Sequence, residues 1–534
     1  MKAAEMSRFF NTSGPCRSDL HYMLPAAERL PGVLPLVEMG RYFVVHAPRQ
    51  TGKTTTLAAV AAELNASGRF AAVLASCEEA QAAGEDLELG LAAVMNEIAE
   101  AGAELPAAAR PPAPAEFGDV EAISRLKIFL GRWAERSPLP VVLFLDEIDA
   151  VIGAVLTSIL RQIRVGYSRR PDRFPQAIGL VGMRDVRDYR LDDHERFHSA
   201  SPFNIKDRSF LLPNFTAEDV ASLCRQHSDA TGQVFRDGAV EHAFELTRGQ
   251  PWLVNALAQQ ITLEDVVDRA IAIEIAHVEA AKETLIRRRD THVDSLLDRL
   301  RERRVRGVIE PLLAGELIVG DRLDDDKAYV EDLGLIDRSG GHIRIANPIY
   351  HEIIPRALAA GTQDTIPHHT AWYVGEDGRL DMAKLLDGFV DFWLEHGEAL
   401  LGAQPYPEIA PHLILMAFLQ RVVNSGGFID REYALGRGRL DICIRWPHGD
   451  DKEGLDGHAG NVQREALELK VWRDGRPDPL SQGRKQLAEY LARLGLDAGT
   501  LIIFDRRRET APLAERLKRE QVVEDGRHID VLRL

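Results

Sequence analysis

The sequence is poor in cysteine, in long apolar runs and in positive charge. Its cysteines stand far apart with no C-x-x-C pair, which argues against a zinc cage and a disulfide framework and fits a reducing cytoplasm. No run approaches the roughly 18 uncharged residues of a membrane span, and no basic segment followed by apolar residues opens the chain, so we expect no membrane association. A formal net charge of -17 disfavours adhesion to nucleic acid over the whole surface but permits a local basic patch. The four cysteines are Cys16, Cys77, Cys224 and Cys443.

Length and composition indicate several globular domains. A chain of 534 residues is too long for one hydrophobic core, and 45% apolar with 28% charged residues is ordinary for folded domains. Changes of pattern predict six segments. They are an N-terminal arm (1–35), an α/β core (36–215), a helical lid (216–285), a winged-helix domain (286–360), a linker and helix (361–404) and a second α/β domain (405–534).

The first part of the chain alternates short apolar runs with segments of helical spacing. Runs such as Arg41–His46 and Ala177–Gly182 are typical of buried strands, and helices separate them. Strands that alternate with helices predict a parallel sheet covered on both faces, so the fold class is α/β. From Thr216 to about Ala280 the pattern is helical only. The opening Thr216-Ala-Glu-Asp219 resembles an N-cap and indicates a small helical lid.

The loop Ala47-Pro-Arg-Gln-Thr-Gly-Lys-Thr54 joins the first strand to a helix. Phosphates need N–H donors from a tight loop and a helix N-terminus plus one mobile cation, and the pattern G-x-x-x-x-G-K-[ST] supplies both. Ala47 replaces the first glycine of this pattern. We expect Lys53 on the β- and γ-phosphates of ATP and the Thr54 hydroxyl on Mg²⁺. The residues expected to contact the nucleotide are Ala47, Gln50, Thr51, Gly52, Lys53, Thr54 and Thr55.

An apolar strand that ends in two acids, Leu143-Phe-Leu-Asp-Glu147, follows in the correct order. Asp146 would enter the magnesium shell and Glu147 would face the attacking water. Together the two motifs resemble those of the AAA+ and STAND-type P-loop ATPases. The segment Arg248-Gly-Gln-Pro-Trp-Leu-Val254 is similar to the lid motif of their archaeal-type branch. The resemblance spans about residues 36–355 and implies ATP binding with slow hydrolysis.

In such families a polar residue after the next strand senses the γ-phosphate, and Arg184 holds that place. The alternative for Arg184 is a local salt bridge to Asp185 or Asp188. AAA-type sites often lie between subunits, so a homo-oligomer is also implied. Four arginines could then supply a trans-acting finger, and the sequence does not separate them: Arg161, Arg164, Arg169 and Arg170.

The C-terminal region predicts a second site on neighbouring strands. Metal-dependent phosphodiester cleavage needs carboxylates that fix divalent cations and a lysine near the attacking water. Asp441 lies in the strand pattern Gly438–Ile444, while Glu468 and Lys470 share one face of the next strand by period-two geometry. The alternative is a salt bridge on an exposed sheet face.

An acid followed by E-x-K resembles the PD-(D/E)xK nuclease superfamily over about residues 405–507, with Leu440 where the name has proline. The resemblance implies a restriction-endonuclease-like α/β fold with Mg²⁺, or Mn²⁺, at Asp441 and Glu468. A helical glutamate can complete such a metal shell, and Glu408 is the best candidate. The following helix offers Gln486 or Gln482 as an assisting glutamine, with Tyr490 on the same face as Gln486.

The densest basic stretch lies in the segment predicted as a winged helix. Arg287-Arg-Arg289 and Arg299–Arg306 could contact DNA, but acids interleaved at helical spacings favour a solvated helix face. Two short alternating runs around Ser339-Gly-Gly341 predict the hairpin that closes this segment.

The motifs together predict an ATPase whose nucleotide state controls a C-terminal metal-dependent nuclease. Nucleic acid is the expected partner, with DNA favoured, and family analogy suggests DNA maintenance or defence. Two alternatives stay open. One is a nucleotide-dependent switch or scaffold that keeps the nuclease fold for binding alone. The other is an ATP-driven remodeller, although the sequence has no helicase motif series.

Overall fold

A computed structural model of the chain describes residues 8–184, 206–288, 296, 298–313, 325–339, 342–363, 372–375, 377–403, 410–424, 428–435, 438–447, 462–507 and 513–534. The chain divides into two compact units. The first unit is Met1–Leu285 with Lys327–Ile336, and the second unit is Ile286–Asp326 with Asp337–Leu534. Within the described ranges, no helix is long and apolar enough to cross a membrane.

The first unit alternates strands with helices and then continues in helices alone, as its sequence pattern predicts. The strands are β1 (Tyr42–His46), β2 (Ala71–Ser76), β3 (Val141–Asp146), β4 (Ala177–Gly182) and β5 (Lys206–Leu211). The helices of this part of the chain are α1 (Val33–Glu38), α2 (Lys53–Ala66), α3 (Leu87–Ala101), α4 (Ala122–Arg136), α5 (Gly153–Gly166), α6 (Ala217–Thr231), α7 (Asp237–Thr247), α8 (Pro251–Gln260) and α9 (Ile275–Arg288).

The five strands form one parallel sheet in the order β2-β3-β4-β1-β5. His46 at the end of β1 pairs with Gly182 at the end of β4, and Ser76 at the end of β2 pairs with Asp146 at the end of β3. Because parallel strands share a direction, the loops that follow them gather at one carboxyl edge, where ligands bind in open α/β sheets. The predicted parallel sheet is confirmed, and this edge carries the loop after β1.

Both faces of the sheet are buried, and successive residues of β1 enter different cores. Tyr42 and Val44 pack in the core that α3, α4 and α5 share, whereas Phe43 and Val45 pack in the core beside α1 and α2. Period-two geometry sends neighbouring strand side chains to opposite faces. Each fully buried Val or Phe side chain contributes roughly 2 kcal/mol of hydrophobic stabilisation. This double burial explains why the strands are continuous apolar runs.

Helices α6 to α9 follow the sheet strands in the chain and are called the lid below, after the prediction for this segment; local signals in the sequence set two of their starts. The Asp219 backbone N–H donates to the Thr216 hydroxyl (3.1 Å) and the Thr216 N–H donates to the Asp219 carboxylate (2.8 Å). This reciprocal pair is a capping box, as the sequence indicates. At α8 the Gln250 side chain accepts the Leu253 N–H (2.6 Å), and Pro251 takes the first helical position, where its missing N–H costs nothing.

The second unit contains a mixed sheet that follows several helices. In chain order, the elements after α9 are α10 (Arg303–Leu313), α11 (Asp325–Asp332), β6 (Ile336–Asp337), β7 (Arg344–Ile345), α12 (Pro348–Gln363), α13 (Met382–Ala403), α14 (Ala410–Asn424), β8 (Phe428–Leu435), β9 (Gly438–Pro447), β10 (Val462–Trp472), α15 (Leu480–Leu494), β11 (Ala498–Asp505), α16 (Leu513–Arg516), β12 (Lys518–Glu524) and β13 (Arg527–Arg533).

The mixed sheet has six strands in the order β12-β13-β11-β10-β9-β8. Strand β10 runs parallel to β11 and antiparallel to β9. Leu467 and Leu469 pack in a core with residues of α13 and α14, whereas Ala466 packs in a core with residues of α15. The even-numbered side chains of β10 therefore share the face that α15 covers.

The strands predicted around Asp441 and around Glu468 and Lys470, and the following helix that carries Gln482 and Gln486, are confirmed as β9, β10 and α15. Three strands were not expected from the sequence: β5, β12 and β13. The segment predicted as a winged helix contains helices and two short strands, with the Arg344 guanidinium bonded to the Asp337 carboxylate (2.9 Å). Its assignment as a winged helix stays a prediction, as do the six domain boundaries.

Candidate functional site

The loop between β1 and α2 turns sharply at two left-handed residues, Gln50 (φ 57°) and Gly52 (φ 86°). Ala47 extends the pairing of β1 with β4, because its N–H donates to the Gly182 carbonyl (3.2 Å). Position 47 does not need a glycine, because the left-handed residues of the loop are Gln50 and Gly52. Thr51 is buried and closes the loop by donating its hydroxyl to the carbonyl three residues earlier (2.9 Å).

Lys53 is the first residue of α2 and lies over the loop. Its ammonium group donates to the carbonyls of Ala47 (2.8 Å) and Pro48 (2.9 Å). Burial lowers the pKa of Lys53, and the carboxylates of Asp146 and Asp149 oppose that shift. The ammonium group thus stands at the carboxyl edge, among the backbone donors of the loop, where a phosphate would meet it.

Asp146 joins the two sequence motifs at the end of β3. Its Oδ2 accepts the Thr54 hydroxyl (2.6 Å), and its Oδ1 accepts the backbone N–H of Glu147 (2.9 Å). Hydroxyl and carboxylate oxygens are the ligand types that Mg²⁺ prefers, so this pair fits the ion that the motifs imply. The structure brings Thr54 and Asp146 together across 92 residues of sequence.

Glu147 follows in a left-handed conformation (φ 53°), which is uncommon for a residue with a side chain and often marks a functional position. Partial burial raises the pKa of Glu147, and the carboxylates of Glu78, Asp146 and Asp149 raise it further. A raised pKa suits a group that accepts a proton during catalysis.

Arg184 follows β4 at the same edge and is nearly buried, with 9% exposure. Its Nε donates to the Asp332 carboxylate (3.0 Å), and its guanidinium lies 5.0 Å from the centre of the Tyr329 ring. The structure therefore gives Arg184 an ion pair with Asp332. The two acids that the sequence offered as local partners, Asp185 and Asp188, lie outside the described residues.

The four candidate finger arginines differ in their surroundings. Arg161, Arg164 and Arg169 are exposed. Arg170 stacks on two aromatic rings, with its guanidinium 3.3 Å from the Tyr167 ring centre and 5.0 Å from that of Tyr42. Stacking holds a guanidinium in place, so Arg170 is the least suited of the four to reach another subunit.

The N-terminal arm reaches the loop between β1 and α2, called the nucleotide loop below after its predicted role, and the sequence did not indicate this contact. The Thr55 hydroxyl accepts the backbone N–H of Cys16 (3.1 Å). Arg29 donates to the carbonyl of Thr51 (2.9 Å) and to that of Pro213 (2.6 Å). No motif marks Arg29, because its partners lie 22 and 184 residues away in the sequence.

The second site is built on β9, β10 and α15. The Glu468 side chain is fully buried, and its Oε1 accepts the Lys470 ammonium (2.6 Å). Its other oxygen, Oε2, has no hydrogen-bond donor among the residues that the structure describes. Burial raises the pKa of Glu468 to about 8, and the nearby Asp441 carboxylate adds to the shift. A buried carboxylate oxygen without a donor is costly in a folded protein unless something binds it.

Lys470 lies between the sheet and α15. It also donates to Gln486 Oε1 (3.1 Å), and the Gln486 amide donates to the Tyr490 hydroxyl (3.1 Å). Burial would lower the pKa of Lys470, but the charges of Glu468 and Asp441 outweigh burial and raise it. Of the two glutamines left open by the sequence, Gln486 contacts the lysine and Gln482 is exposed.

Asp441 completes the group that the structure brings together. Its Oδ2 accepts the Leu469 N–H (2.7 Å), which places it beside Glu468 on the neighbouring strand. Glu408, predicted as a further metal ligand, lies outside the described residues. Among the residues that are described, no group of three or more His, Cys, Asp or Glu side chains is placed to hold a metal ion. Asp441 and Glu468 supply two carboxylates, the oxygen ligands that divalent cations bind, and the orphaned Oε2 is one of the two Glu468 oxygens.

The basic stretch before α10 and within it is largely paired with acids. Arg299 bonds to Glu302 (2.8 Å), and Arg304 lies 3.3 Å from the Asp326 carboxylate. Arg301 lies 3.8 Å from Asp298. This pairing agrees with a solvated, charge-balanced helix face, the alternative favoured by the sequence. Arg289 lies outside the described residues.

No protein-family model matches the chain, and no curated protein matches its sequence. Distant similarity to solved structures is found. A Walker-type ATPase of Pyrococcus abyssi is 15% identical with a TM-score of 0.45, and the match covers 65% of this chain and 99% of that one. The RuvB Holliday junction branch migration motor of Thermotoga maritima is 15% identical with a TM-score of 0.33, covering 61% and 92%. Cdc6p of Pyrobaculum aerophilum is 14% identical with a TM-score of 0.34, covering 65% and 96%.

Proposed function

We propose that the protein binds ATP at the loop after β1 and hydrolyses it slowly. The observation that carries the proposal is the 2.6 Å contact of the Thr54 hydroxyl with Asp146, because it unites a phosphate-loop helix with an acidic strand end. Lys53 would neutralise the β- and γ-phosphates, and the backbone N–H groups around Gly52 would bind their oxygens. Mg²⁺, held by Thr54 and Asp146, would supply positive charge to the phosphates. Glu147 would orient the attacking water and accept its proton.

Two substitutions test this proposal against one control. Lys53→Met removes the only side-chain cation of the loop helix, and we expect ATP binding to be lost. Glu147→Gln keeps binding, but hydrolysis should fall about 100-fold or more, as for loss of a general base. Arg41→Met changes an exposed arginine outside the site and should leave both unchanged. Unaltered binding by the Lys53 variant would exclude this loop as the nucleotide site.

We further propose that the C-terminal unit is a metal-dependent nuclease of the PD-(D/E)xK type. Its support is the fully buried Glu468, whose Oε2 has no donor in the described part of the chain while Lys470 and Asp441 lie beside it. A divalent cation at Asp441 and Glu468 would polarise the phosphodiester and activate water. Lys470 would stabilise charge on the reacting phosphate, and Gln486 would orient Lys470.

Cleavage assays test the nuclease and its control by ATP together. Supercoiled, linear and single-stranded DNA and RNA are incubated with Mg²⁺ or Mn²⁺, with and without ATP, beside Glu468→Ala and Lys470→Ala protein. Cleavage that both variants lose supports the site. A dependence on ATP that Lys53→Met abolishes supports control of the nuclease by the nucleotide state. Cleavage that persists in both C-terminal variants contradicts the proposal.

Two other functions stay as alternatives with distinct outcomes. Binding of nucleic acid without cleavage favours a nucleotide-dependent switch or scaffold. ATP turnover that rises only with a protein partner favours a remodeller. We also propose that DNA is the preferred partner, that the protein forms a homo-oligomer and that it is located in the cytoplasm. The location is supported by all four cysteines being free thiols, three of them buried.

A further inference from the structure

Arg29 lies where the nucleotide loop meets the start of the lid. It ends the short 3-10 helix Ala26–Arg29, and its side chain is partly buried. One terminal nitrogen donates to the Thr51 carbonyl (2.9 Å) and the other donates to the Pro213 carbonyl (2.6 Å). Its guanidinium also lies 4.8 Å from the centre of the Phe215 ring. One side chain therefore contacts the loop and the segment that leads into the lid.

The hydrogen bond to the Thr51 carbonyl acts on a peptide group that would face the phosphates in the proposed ATP site. The Thr51 carbonyl belongs to the same peptide group as the Gly52 N–H, one of the backbone donors at the start of α2. A hydrogen bond to the carbonyl polarises the peptide and strengthens its N–H as a donor. A β-carbon at Gly52 would stand 3.0 Å from the Arg29 guanidinium, so the two are packed closely. A shift of this peptide must move the guanidinium or break the bond.

Arg29 also contacts the segment that connects β5 to α6, residues 212–216. This segment is anchored to the sheet by the Leu212 N–H, which donates to the His46 carbonyl (3.0 Å). It is anchored to the lid by the Phe215 N–H, which donates to the Gly249 carbonyl (2.8 Å) before α8. Of the residues that Arg29 contacts, Pro213 lies between these anchors and Phe215 is itself the anchor to the lid.

We propose that Arg29 is a positioning residue that transmits nucleotide occupancy from the loop at Thr51 to the lid through Pro213 and Phe215. The inference rests on the proposed ATP site and adds to it the route by which the lid responds. A planar guanidinium with donors on both ends can bind two carbonyls and a ring at once, whereas an ammonium group cannot reproduce that fork. Burial lowers the pKa of Arg29 to about 10, partly offset by Asp219, so the group stays charged at neutral pH.

Hydrogen exchange of the full-length protein tests the route directly. Exchange of the loop and of α6 and α8 is measured without nucleotide and with a saturating, non-hydrolysable ATP analogue and Mg²⁺. Nucleotide affinity is measured separately, so that each variant is saturated. In the wild type, protection should change in the loop and in both lid helices. Arg29→Met should keep the loop response and retain less than about half of the lid response, since two sites are coupled only by contacts that differ between states.

Three further variants make the result specific. Arg29→Lys keeps the charge and should give an intermediate lid response. Phe215→Leu keeps the carbonyl contacts and should weaken the lid response without altering the loop, and it serves if Arg29→Met does not fold. Arg41→Met should match the wild type, because Arg41 is exposed outside the site.

The outcomes separate this inference from the proposed function. A full lid response in saturated Arg29→Met protein overturns the role of Arg29 while the ATP site stands. An unchanged lid in nucleotide-bound wild type overturns it as well. Failure of the wild type to bind nucleotide overturns the ATP proposal and, with it, the inference.

Discussion

The Thr54 hydroxyl donates a 2.6 Å hydrogen bond to the carboxylate of Asp146. Thr54 lies in the first turn of α2, and Asp146 is the last residue of β3. Because β3 and β1 are parallel members of one sheet, this contact arises only if both carboxyl ends point to the same edge. This contact therefore depends on the parallel sheet, and it brings together the two oxygen groups that are expected to bind Mg²⁺.

Removing the Thr54 hydroxyl should weaken Mg²⁺-dependent ATP turnover. We expect Thr54→Ala to lower Mg²⁺-dependent ATP turnover by about 10-fold to 100-fold, the equivalent of one hydrogen bond to a charged group. Thr54→Ser keeps the hydroxyl and should retain most of the activity. Turnover is measured over a Mg²⁺ titration, and an Ala variant with the magnesium dependence of the wild type would contradict the role of this hydroxyl.

Two left-handed glycines of the lid should respond very differently to alanine. A β-carbon at Gly249 (φ 70°) would lie 1.9 Å from the Phe215 backbone carbonyl oxygen, whereas at Gly232 (φ 79°) it would meet nothing within 4 Å. Gly232→Ala should cost only the strain of a left-handed alanine, about 1–2 kcal/mol. Gly249→Ala adds a clash with backbone and should cost clearly more.

Urea unfolding followed by circular dichroism compares the two free energies of unfolding. Equal losses would show that the chain near Phe215 relaxes without cost. A larger loss in the free energy of unfolding for Gly249→Ala would show that the backbone contact between residues 215 and 249 is rigid.

The sequence predicted the candidate site where local pattern and sheet direction suffice. Lys53 and Asp146 follow from a strand-loop-helix motif and an apolar strand ending in acid, each readable within ten residues. Arg29 could not be found in this way, because its partners are distant in sequence and are backbone carbonyls, which carry no residue-specific signal. Likewise Gln482 and Gln486 are one helical turn apart, and only packing of α15 decides which one meets Lys470.

The same limit applies to the strands that were missed. β12 reads Lys518-Arg-Glu-Gln-Val-Val-Glu524, with most of its residues charged or polar at an edge of the sheet. Charged side chains on an edge strand prevent it from pairing with other chains. Such a strand therefore lacks the alternating apolar pattern by which strands are predicted.

The lid should be most stable at mildly acidic pH because of His242 in α7 and Glu279 in α9. Their hydrogen bond raises the pKa of His242 above its usual 6.5, although burial opposes the shift. Burial would raise the pKa of Glu279, but the hydrogen bond from His242 and the charge of Lys282 outweigh it and hold the value at about 2 instead of 4.5. The histidine contribution is complete below 6.5 and is lost as pH rises through the raised pKa. The glutamate contribution is complete above 4.5 and is lost as pH falls toward 2.

Glu279→Gln tests this window. The difference in opening free energy of α7 between wild type and variant should peak between pH 4.5 and 6.5, at a value on the order of 1 kcal/mol given the partial exposure of both groups. It is measured by hydrogen exchange at several pH values. Glu241→Gln is the control, because it removes an exposed carboxylate from the same helix. A difference that is constant with pH would contradict the assignment.

The buried pair of Glu468 and Lys470 should distinguish a metal site from a structural salt bridge. Lys470→Met leaves a fully buried carboxylate without its cation and should cost about 3 kcal/mol, although proton uptake by Glu468 limits the loss. In Glu468→Gln/Lys470→Met protein both charges of the pair are removed, so the loss should be well below the sum of the single losses. Lys485→Met, which changes an exposed lysine of α15, should have no effect.

Unfolding is measured first with a chelator, where a salt bridge and a metal site behave alike. Added Mn²⁺ or Mg²⁺ should then stabilise the wild type by an amount that grows with concentration, but not the double variant. Equal responses of the two proteins to the ions would leave Glu468 and Lys470 as a structural pair and exclude Glu468 as a ligand.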